Sequence, residues 1–374
     1  MNNVENKFQH WVPQRRIPAL DALRGVAALA VVVHHSSLQR LSIARIADYN
    51  PRENIWHPLL FWLGGWGVTL FFIISGFCIH LPQARNKHDG LPFIGWKQFY
   101  RRRFRRLIPT HYASIILACL VAFVLPGNLL TKPTPGTFIA HLFMVHTFIS
   151  IAYYYSINAV FWSIAIEVHF YMTYPVLQLI RRRIETNFVI ILLCLGFVVF
   201  IIGSMLESPN MRFVVRNSFV VTWWQWGLGV MLAEIYVRGY FSKMGQLFIS
   251  KKSVWLWGVV SLLLAYLDPS LHGLHIRPWI FPFTCTYLLL SAIIYDRKSK
   301  MTSILAWLGK FSYSMYLAHP MALAVCLWLI PLRVFPGSIL IVIDVVASVG
   351  ISYVFFYLVE RNFISGSASK NLLT

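Results

Sequence analysis

Residues 17–38 read IPALDALRGVAALAVVVHHSSL, and this stretch decides the fold class. It is apolar apart from a few polar groups, and about 20 apolar residues are enough to cross the roughly 30 Å of hydrocarbon in a bilayer. The sequence therefore predicts an all-α, polytopic membrane protein with about ten transmembrane helices. Nine further apolar stretches follow, at 59–80, 107–126, 158–180, 187–206, 218–237, 254–267, 278–295, 304–330 and 338–360.

The composition agrees with a membrane protein and excludes several other classes. Of the 374 residues, 57% are hydrophobic and 12% are charged, against roughly 45–50% and 25% in soluble proteins. The net charge of +20 would suggest nucleic acid in a soluble chain. Here the basic residues form short runs between apolar stretches, as in membrane proteins. We therefore expect the lipid bilayer, and no nucleic acid, as a partner.

The distribution of basic residues predicts the orientation of the chain. With a cytoplasmic N-terminus, 23 Lys and Arg residues lie in inside segments and 8 in outside segments. Since Lys and Arg accumulate on the cytoplasmic side, both termini are expected to be cytoplasmic. No cleavable signal is expected, because the first apolar stretch lacks a small-residue cleavage site. The predicted organisation is a cytoplasmic segment 1–16, a membrane domain 17–361 and a cytoplasmic tail 362–374.

The segment from Gly136 to Ser156 does not fit as a complete span. The preceding span is predicted to end outside, and the following span must also start outside to finish at the basic run 181–183. The segment is therefore predicted to be re-entrant or interfacial. Non-helical backbone at such a depth has to be sheltered by protein.

Arg24 and His35 have a defined geometry within the first predicted span. They are eleven residues apart, which is about three turns of helix, so they share one face with a rise of roughly 16 Å. His34 points about 80° away from that face. Ionisable residues inside a membrane normally face the protein interior or a water-filled cavity. The alternative is that Arg24 pairs locally with Asp21 and that His35 is a satisfied core histidine.

Ser163, Glu167 and Tyr171 follow one another at intervals of four residues in the fourth full span. This spacing places a hydroxyl, a carboxylate and a phenol on one face of a helix. The stripe is a candidate catalytic surface. A structural hydrogen-bond network between helices would produce the same pattern.

The stretch WKQFYRRRFRRLIP carries five arginines within residues 101–106. Positive-inside anchoring accounts for two or three of them. A dense cluster is also suited to the phosphates of a nucleotide-bearing donor, because Arg binds phosphate through paired hydrogen bonds. Glycine-rich phosphate loops, zinc pairs, Cys-x-x-Cys motifs and Gly-x-Ser-x-Gly elbows are absent from the sequence. A histidine general base is the strongest remaining catalytic hypothesis.

Six short motifs occur in order along the chain, from RIPALDALRGVAALAVVVHH through FFIISGFCIH, YRRRFRRLIP and FWSIAIEVHFYMTYP to GKFSYSMYLAHP and LVERNF. With these motifs in this order, the chain resembles the integral-membrane acyltransferase 3 family. Members of that family are bacterial O-acetyltransferases of surface polysaccharides and related envelope or secreted substrates. Many relatives carry an additional extracytoplasmic esterase-like domain, and no such domain is expected after the last predicted span.

The resemblance implies roles for particular residues. The family's Arg-x10-His motif falls on Arg24 and His35, and its Arg-x-x-Arg motif falls on Arg103 and Arg106. Its Trp-Ser-x-x-x-Glu-x-x-x-Tyr block falls on the stripe defined above. The implied catalytic residues are His35, Glu167 and Ser163, and the implied residues for acyl-CoA are Arg24, Arg103 and Arg106.

The implied function is transfer of an acyl group, acetyl in the first instance, from cytoplasmic acyl-CoA to a hydroxyl of an extracytoplasmic glycan or glycolipid. Acetyl-CoA or another acyl-CoA is then the donor, no metal is expected, and the location is the inner membrane of a bacterium. The oligomeric state, including a homo-oligomer, stays open. A proton-coupled transporter is the rival hypothesis, because intramembrane Asp, Glu, Arg and His also suit a carrier. A structural scaffold would leave the alignment of Arg24 with His35 without a purpose.

Overall fold

The structure is a computed structural model that describes residues 17–46, 56–125, 130–240, 277–295, 299–330 and 337–364. Within these ranges the chain is helical and contains no strand. Short 3-10 turns lie at His146–Phe148, Glu185–Asn187 and Glu360–Phe363. The α-helices are α1 (Pro18–Ile46), α2 (Trp56–His88), α3 (Trp96–Val124), α4 (Pro135–Leu142), α5 (Ile151–Tyr154), α6 (Phe161–Ile184), α7 (Phe188–Met205), α8 (Pro209–Arg216), α9 (Phe219–Val237), α10 (Arg277–Tyr295), α11 (Lys300–Lys310), α12 (Ser312–Leu329) and α13 (Gly337–Leu358).

Five helical segments of the described chain are long and apolar enough to cross a membrane. A sixth arises if α10 and α11, bent by 120°, form one broken span. The prediction of an all-helical chain with several spans is confirmed, while the count of ten and the orientation stay predictions. The predicted span 254–267 lies outside the described residues. The five segments suited to crossing a membrane are Pro18–Arg40, Trp62–His88, Trp96–Val124, Phe161–Met205 and Gly337–Leu358.

The chain divides into two compact units. The first unit comprises residues 1–27, 65–94 and 224–310, and the second comprises 28–64, 95–223 and 311–374. Helices α1, α2 and α9 each contribute residues to both units. Five of the six predicted site residues fall in the second unit, and only Arg24 falls in the first.

Glycines allow the helices of the first unit to approach very closely. A Cβ atom on Gly76 of α2 would overlap the backbone of Trp226 in α9, and one on Gly229 of α9 would overlap the backbone of Ile73 in α2. Helices that lack side chains at the crossing can bring their backbones together, as small residues do in membrane proteins. The same unit contains a buried hydrogen bond of 2.8 Å between His80 Nε2 and Glu234 Oε1.

A fully buried ion pair joins distant helices of the second unit. Arg40 of α1 donates to Asp344 of α13 through Nε at 2.9 Å and through Nη2 at 2.7 Å. Ser36 donates to the same carboxylate at 2.8 Å, and Arg40 Nη1 donates to Ile330 O at 2.7 Å. We call these four residues the Arg40–Asp344 clamp. Every oxygen of the carboxylate is hydrogen-bonded, as a stable buried pair requires.

The segment predicted to be re-entrant contains no helix long enough to cross a membrane. It consists of α4 with eight residues, α5 with four residues and the 3-10 turn His146–Phe148. The turn residue Met144 has a φ angle of 58°, in the left-handed region. Thr134 begins α4 with a capping box, which satisfies the first backbone N–H groups. These breaks agree with the predicted absence of a complete span.

Candidate active site

His35 in the second half of α1 contacts His319 in α12. The distance from His35 Nδ1 to His319 Nε2 is 3.2 Å, and the two ring centroids are 5.0 Å apart. His319 is completely buried, whereas His35 is partly exposed. Two residues separated by 284 positions in the chain therefore form a histidine pair within the second unit.

The hydrogen bonds assign the protons of this pair. His319 Nδ1 lies 3.0 Å from the Met315 carbonyl oxygen, which can only accept, so this nitrogen carries the proton. Nε2 of the neutral His319 is then an acceptor. His35 Nδ1 faces that acceptor and also lies 2.9 Å from the Val31 carbonyl oxygen, so it must donate. The remaining lone pair of His35 is on Nε2, with which no described residue forms a hydrogen bond.

His34 lies in a different environment, as the helix geometry predicted. Its ring packs against Gly64, where an added Cβ would overlap it. It meets the ring of His35 edge-on, with centroids 4.8 Å apart. His319 Nε2 forms its hydrogen bond with His35, so His35 and His34 differ in their hydrogen-bond partners although they are neighbours in sequence.

The predicted stripe on α6 divides between two sets of contacts. Tyr171 donates a short hydrogen bond to Glu167, one turn away on the same helix. Ser163 Oγ lies 2.6 Å from the hydroxyl oxygen of Tyr316 and donates to the Val160 carbonyl oxygen at 3.1 Å. Ser163 therefore joins α6 to α12. This is a hydrogen bond between helices, which was the structural alternative for the stripe.

One face of α12 carries a series of polar residues that meet the predicted site. Tyr313 donates to the Leu107 carbonyl oxygen of α3 at 3.0 Å. Tyr316 follows one turn later and contacts Ser163, and His319 follows another turn later and contacts His35. Glu167 lies close enough to both tyrosines for electrostatic interaction. We call Tyr313, Tyr316 and His319 the α12 face.

The arginines predicted to bind acyl-CoA have different surroundings. Arg103 lies beside the ring of Phe99, with 6.0 Å between its guanidinium carbon and the ring centroid. Arg106 Nη2 is 4.0 Å from Glu360 Oε1. Arg24, in the first unit, pairs with Asp21 at 3.2 Å. It therefore makes the local pair that its spacing allowed.

Arg24 also donates to a sulfur atom. Its Nη2 lies 3.2 Å from Cys78 Sγ in α2, so two helices of the first unit meet at this guanidinium. The Arg24 side chain is 24% exposed.

Glu360 follows the end of α13 and is completely buried. Its Oε2 accepts from the backbone N of Ser314 at 3.1 Å and from the Ser314 hydroxyl at 2.5 Å. Burial raises the pKa of this carboxyl above its ordinary value, while Arg106 and the hydrogen bonds of Ser314 oppose that change. The carboxylate brings the motifs YRRRFRRLIP, GKFSYSMYLAHP and LVERNF together.

No role for His319 or Glu360 is predicted from the sequence. Both belong to motifs that carried the family resemblance, and this was the available signal. Their partners could not be assigned because they lie on other helices. Once His319 is included, the site consists of an oriented imidazole, neighbouring hydroxyls and a carboxylate, which suits proton removal from a hydroxyl group.

The comparison with protein families agrees with this chemistry. The family model described as an acyltransferase domain matches residues 17–357. The chain belongs to the acyltransferase 3 family. With its five or six helices suited to crossing a membrane, this acyltransferase 3 protein is a multi-pass membrane protein.

Several relatives of this family member have names that describe an activity. It is 23% identical over 342 residues to a Staphylococcus aureus (strain COL) protein provisionally named an O-acetyltransferase, covering 85% of this chain and 52% of that protein. It is 30% identical over 186 residues to peptidoglycan O-acetyltransferase OatA of Listeria monocytogenes, and the match covers 46% of this chain and 26% of that protein. It is 25% identical over 335 residues to acyltransferase MdmB of Streptomyces mycarofaciens, and the match covers 82% of this chain and 79% of that protein.

The acyltransferase 3 chain spans about half the length of the Staphylococcus relatives that it matches. No solved structure matches it with significance. The family membership therefore rests on sequence.

Proposed function

We propose that this protein is a membrane O-acyltransferase. It transfers an acyl group, acetyl in the first instance, from cytoplasmic acyl-CoA to a hydroxyl of an extracytoplasmic glycan or glycolipid in the inner membrane of a bacterium. The observation that carries the proposal is the hydrogen bond from His35 Nδ1 to His319 Nε2. This bond leaves the lone pair on Nε2 of His35, where a general base needs it.

In the proposed reaction, His35 Nε2 accepts the proton of the acceptor hydroxyl while the hydroxyl oxygen attacks the carbonyl carbon of the thioester. The C–S bond breaks, and the departing CoA sulfur takes the proton from His35. An ester and a CoA thiol are formed, so the histidine returns to its starting state. His319 orients the base through Nδ1 of His35, following the logic by which a third group orients the histidine of a catalytic triad.

Ser163, Tyr316 and Glu167 have supporting roles in this proposal. The oxyanion that forms at the thioester carbonyl needs a hydrogen-bond donor. Ser163 is our candidate, because its hydroxyl is hydrogen-bonded to Tyr316 one turn from His319. To serve the oxyanion, this hydroxyl turns its single proton away from the Val160 carbonyl oxygen, to which it donates in the structure. Glu167 acts as a negative charge beside the α12 face, held by Tyr171.

The donor is proposed to bind from the cytoplasmic side. Arg103 and Arg106 of the second unit bind the phosphates of CoA, because guanidinium groups recognise phosphate in paired geometry. Arg24 of the first unit is proposed by itself as a phosphate ligand on α1. The rise from Arg24 to His35 along α1 is roughly 16 Å, a distance that an extended pantetheine arm can cover. Direct transfer without an acyl-enzyme is therefore our preferred route.

The names of two relatives support the proposed class of acceptor. The Listeria relative is named for peptidoglycan and the Staphylococcus relative for O-acetyl transfer, which supports a hydroxyl of a cell-envelope glycan as the acceptor. Comparison of surface-glycan masses from cells with and without the protein identifies the acceptor by a shift of one acyl group. An unchanged glycan profile would contradict the glycan assignment.

The test of the reaction uses the purified full chain in detergent with radiolabelled acetyl-CoA. We expect release or transfer of the acetyl group by the native protein and no reaction above background with His35→Ala. Acetyl-CoA left intact in the presence of acceptor glycan would refute the enzyme and favour the transporter hypothesis. Label that stays on the protein and depends on His35 would replace direct transfer with an acyl-histidine route.

A further inference from the structure

The two oxygens of the Glu360 carboxylate have different environments. Oε2 accepts both hydrogen bonds from Ser314. Oε1 is buried and forms no hydrogen bond with any residue in the described part of the chain. Arg106 Nη2 lies 4.0 Å from Oε1, too far for a hydrogen bond.

Oε2 alone explains how Glu360 stabilises the fold. Ser314 is the third residue of α12, so the carboxylate accepts one of the N–H groups that have no partner inside the helix. A negative charge at this end also complements the helix dipole. A neutral side-chain oxygen could satisfy the same N–H group. The cap therefore does not explain the direction of Oε1.

Arg106 has the features of a residue held ready for an anion. Its side chain is 45% exposed, and its guanidinium makes no hydrogen bond within the described ranges. Attraction from Glu360 at 4.0 Å restricts the orientation of the guanidinium and leaves its N–H groups available. An arginine bonded to a carboxylate in two-pronged geometry would have far fewer donors to offer.

We propose that Glu360 is a positioning residue for the acyl donor, with Oε1 holding the Arg106 guanidinium in the orientation that binds a phosphate of the donor nucleotide. The inference rests on the proposed function, since it assigns the acyl donor to Arg106. An uncompensated buried carboxylate oxygen is costly, and a charge directed at a half-exposed arginine gives that oxygen a purpose that capping does not.

Direct binding of CoA and of pantetheine, which lacks the phosphates, tests the proposal on the full chain in detergent micelles. In Glu360→Gln the amide oxygen keeps both hydrogen bonds from Ser314, and an uncharged NH2 group replaces the oxygen that faces Arg106. We expect Glu360→Gln and Arg106→Gln each to weaken CoA binding about tenfold, the usual size of a lost charged hydrogen bond. Pantetheine binding is expected to stay unchanged.

Two exposed residues provide matched controls. Glu207→Gln and Arg102→Gln make the same chemical changes elsewhere in the second unit and are expected to bind CoA as the native protein does. The double variant of Glu360 and Arg106 should bind CoA no more weakly than Arg106→Gln alone, because both substitutions remove one interaction.

The outcomes separate this inference from the proposed function. If Arg106→Gln weakens CoA binding but Glu360→Gln does not, Glu360 is only a helix cap and the proposed function stands. If the native protein binds no CoA, the proposed donor is wrong and this inference fails with it. If Glu360→Gln does not fold whereas Arg106→Gln does, the charge serves the fold, and the positioning role is refuted.

Discussion

The Arg40–Asp344 clamp and the two groups bonded to α12, His35 and Glu360, all belong to the second unit, but they differ in how completely they are hydrogen-bonded. The clamp carboxylate accepts three hydrogen bonds, from Arg40 twice and from Ser36 once. By contrast, His35 is bonded to His319 and Glu360 to Ser314, while His35 Nε2 and Glu360 Oε1 form no hydrogen bond with any residue that the structure describes.

This difference separates structural from functional groups. A buried ion pair with all its hydrogen bonds made can join helices but has nothing to offer a substrate. A group fixed by one bond and open at its other atom is oriented and still available, as preorganised catalytic groups are. Substitutions in the clamp should therefore change stability. Substitutions of His35, Glu360 or the α12 residues bonded to them should change activity.

The largest effect is expected for His35→Ala. Removal of a general base typically slows a reaction by about 10² to 10⁴, and thermal unfolding of the purified protein should stay near that of the native chain. His34→Ala is the matched control, because His34 has different partners, and most acetyl transfer should remain. Equal losses of transfer rate from the two variants would show that the face geometry was misread.

Asp344→Ala should have the opposite phenotype. It leaves Arg40 buried without its counter-ion, which costs about 3–5 kcal/mol of stability. The melting temperature in detergent should fall clearly, while the protein that stays folded should retain its transfer rate. Replacing both partners, Arg40→Met with Asp344→Leu, should restore most of the stability. A double variant as unstable as Asp344→Ala would indicate that the clamp provides more than charge compensation.

Arg103→Ala combined with Arg106→Ala should weaken acetyl-CoA binding by about 100-fold, since each lost charged hydrogen bond is equivalent to about a factor of ten. The loss should shrink for a truncated pantetheine thioester. Arg101→Ala with Arg105→Ala removes the same charge from exposed positions of α3 and should have much less effect. If the variant of Arg103 and Arg106 binds CoA with normal affinity, the arginine cluster only sets the orientation of the chain in the membrane.

The smallest effect is expected for His319→Ala. His35 Nδ1 keeps its hydrogen bond to Val31, so only one of two orienting contacts is lost, and the rate should fall about tenfold. His319→Gln should recover part of it, because an amide oxygen can accept from His35 Nδ1. The acidic limb of the pH–rate profile should move in His319→Ala, which a purely structural role would leave in place. If the glutamine variant is as slow as the alanine variant, the orienting role is wrong.

Features that lie along one helix were predictable from the sequence. The all-helical chain, several of its spans and the broken segment from Gly136 to Ser156 follow from apolar length and its interruption. The contact of Tyr171 with Glu167 and that of Arg24 with Asp21 follow from helical periodicity. These relations depend only on 3.6 residues per turn, which is the same in every α-helix.

Contacts between helices were decided by the tertiary structure. His319 and Glu360 stood in recognisable motifs, but nothing in their spacing showed that one would meet His35 and the other Ser314 and Arg106. The same holds for Ser163 and Tyr316, 153 residues apart. Sequence spacing records which residues share a face of one helix. Which faces meet depends on how the helices pack, including where glycines let backbones approach, and that packing selects the partners of each buried polar group.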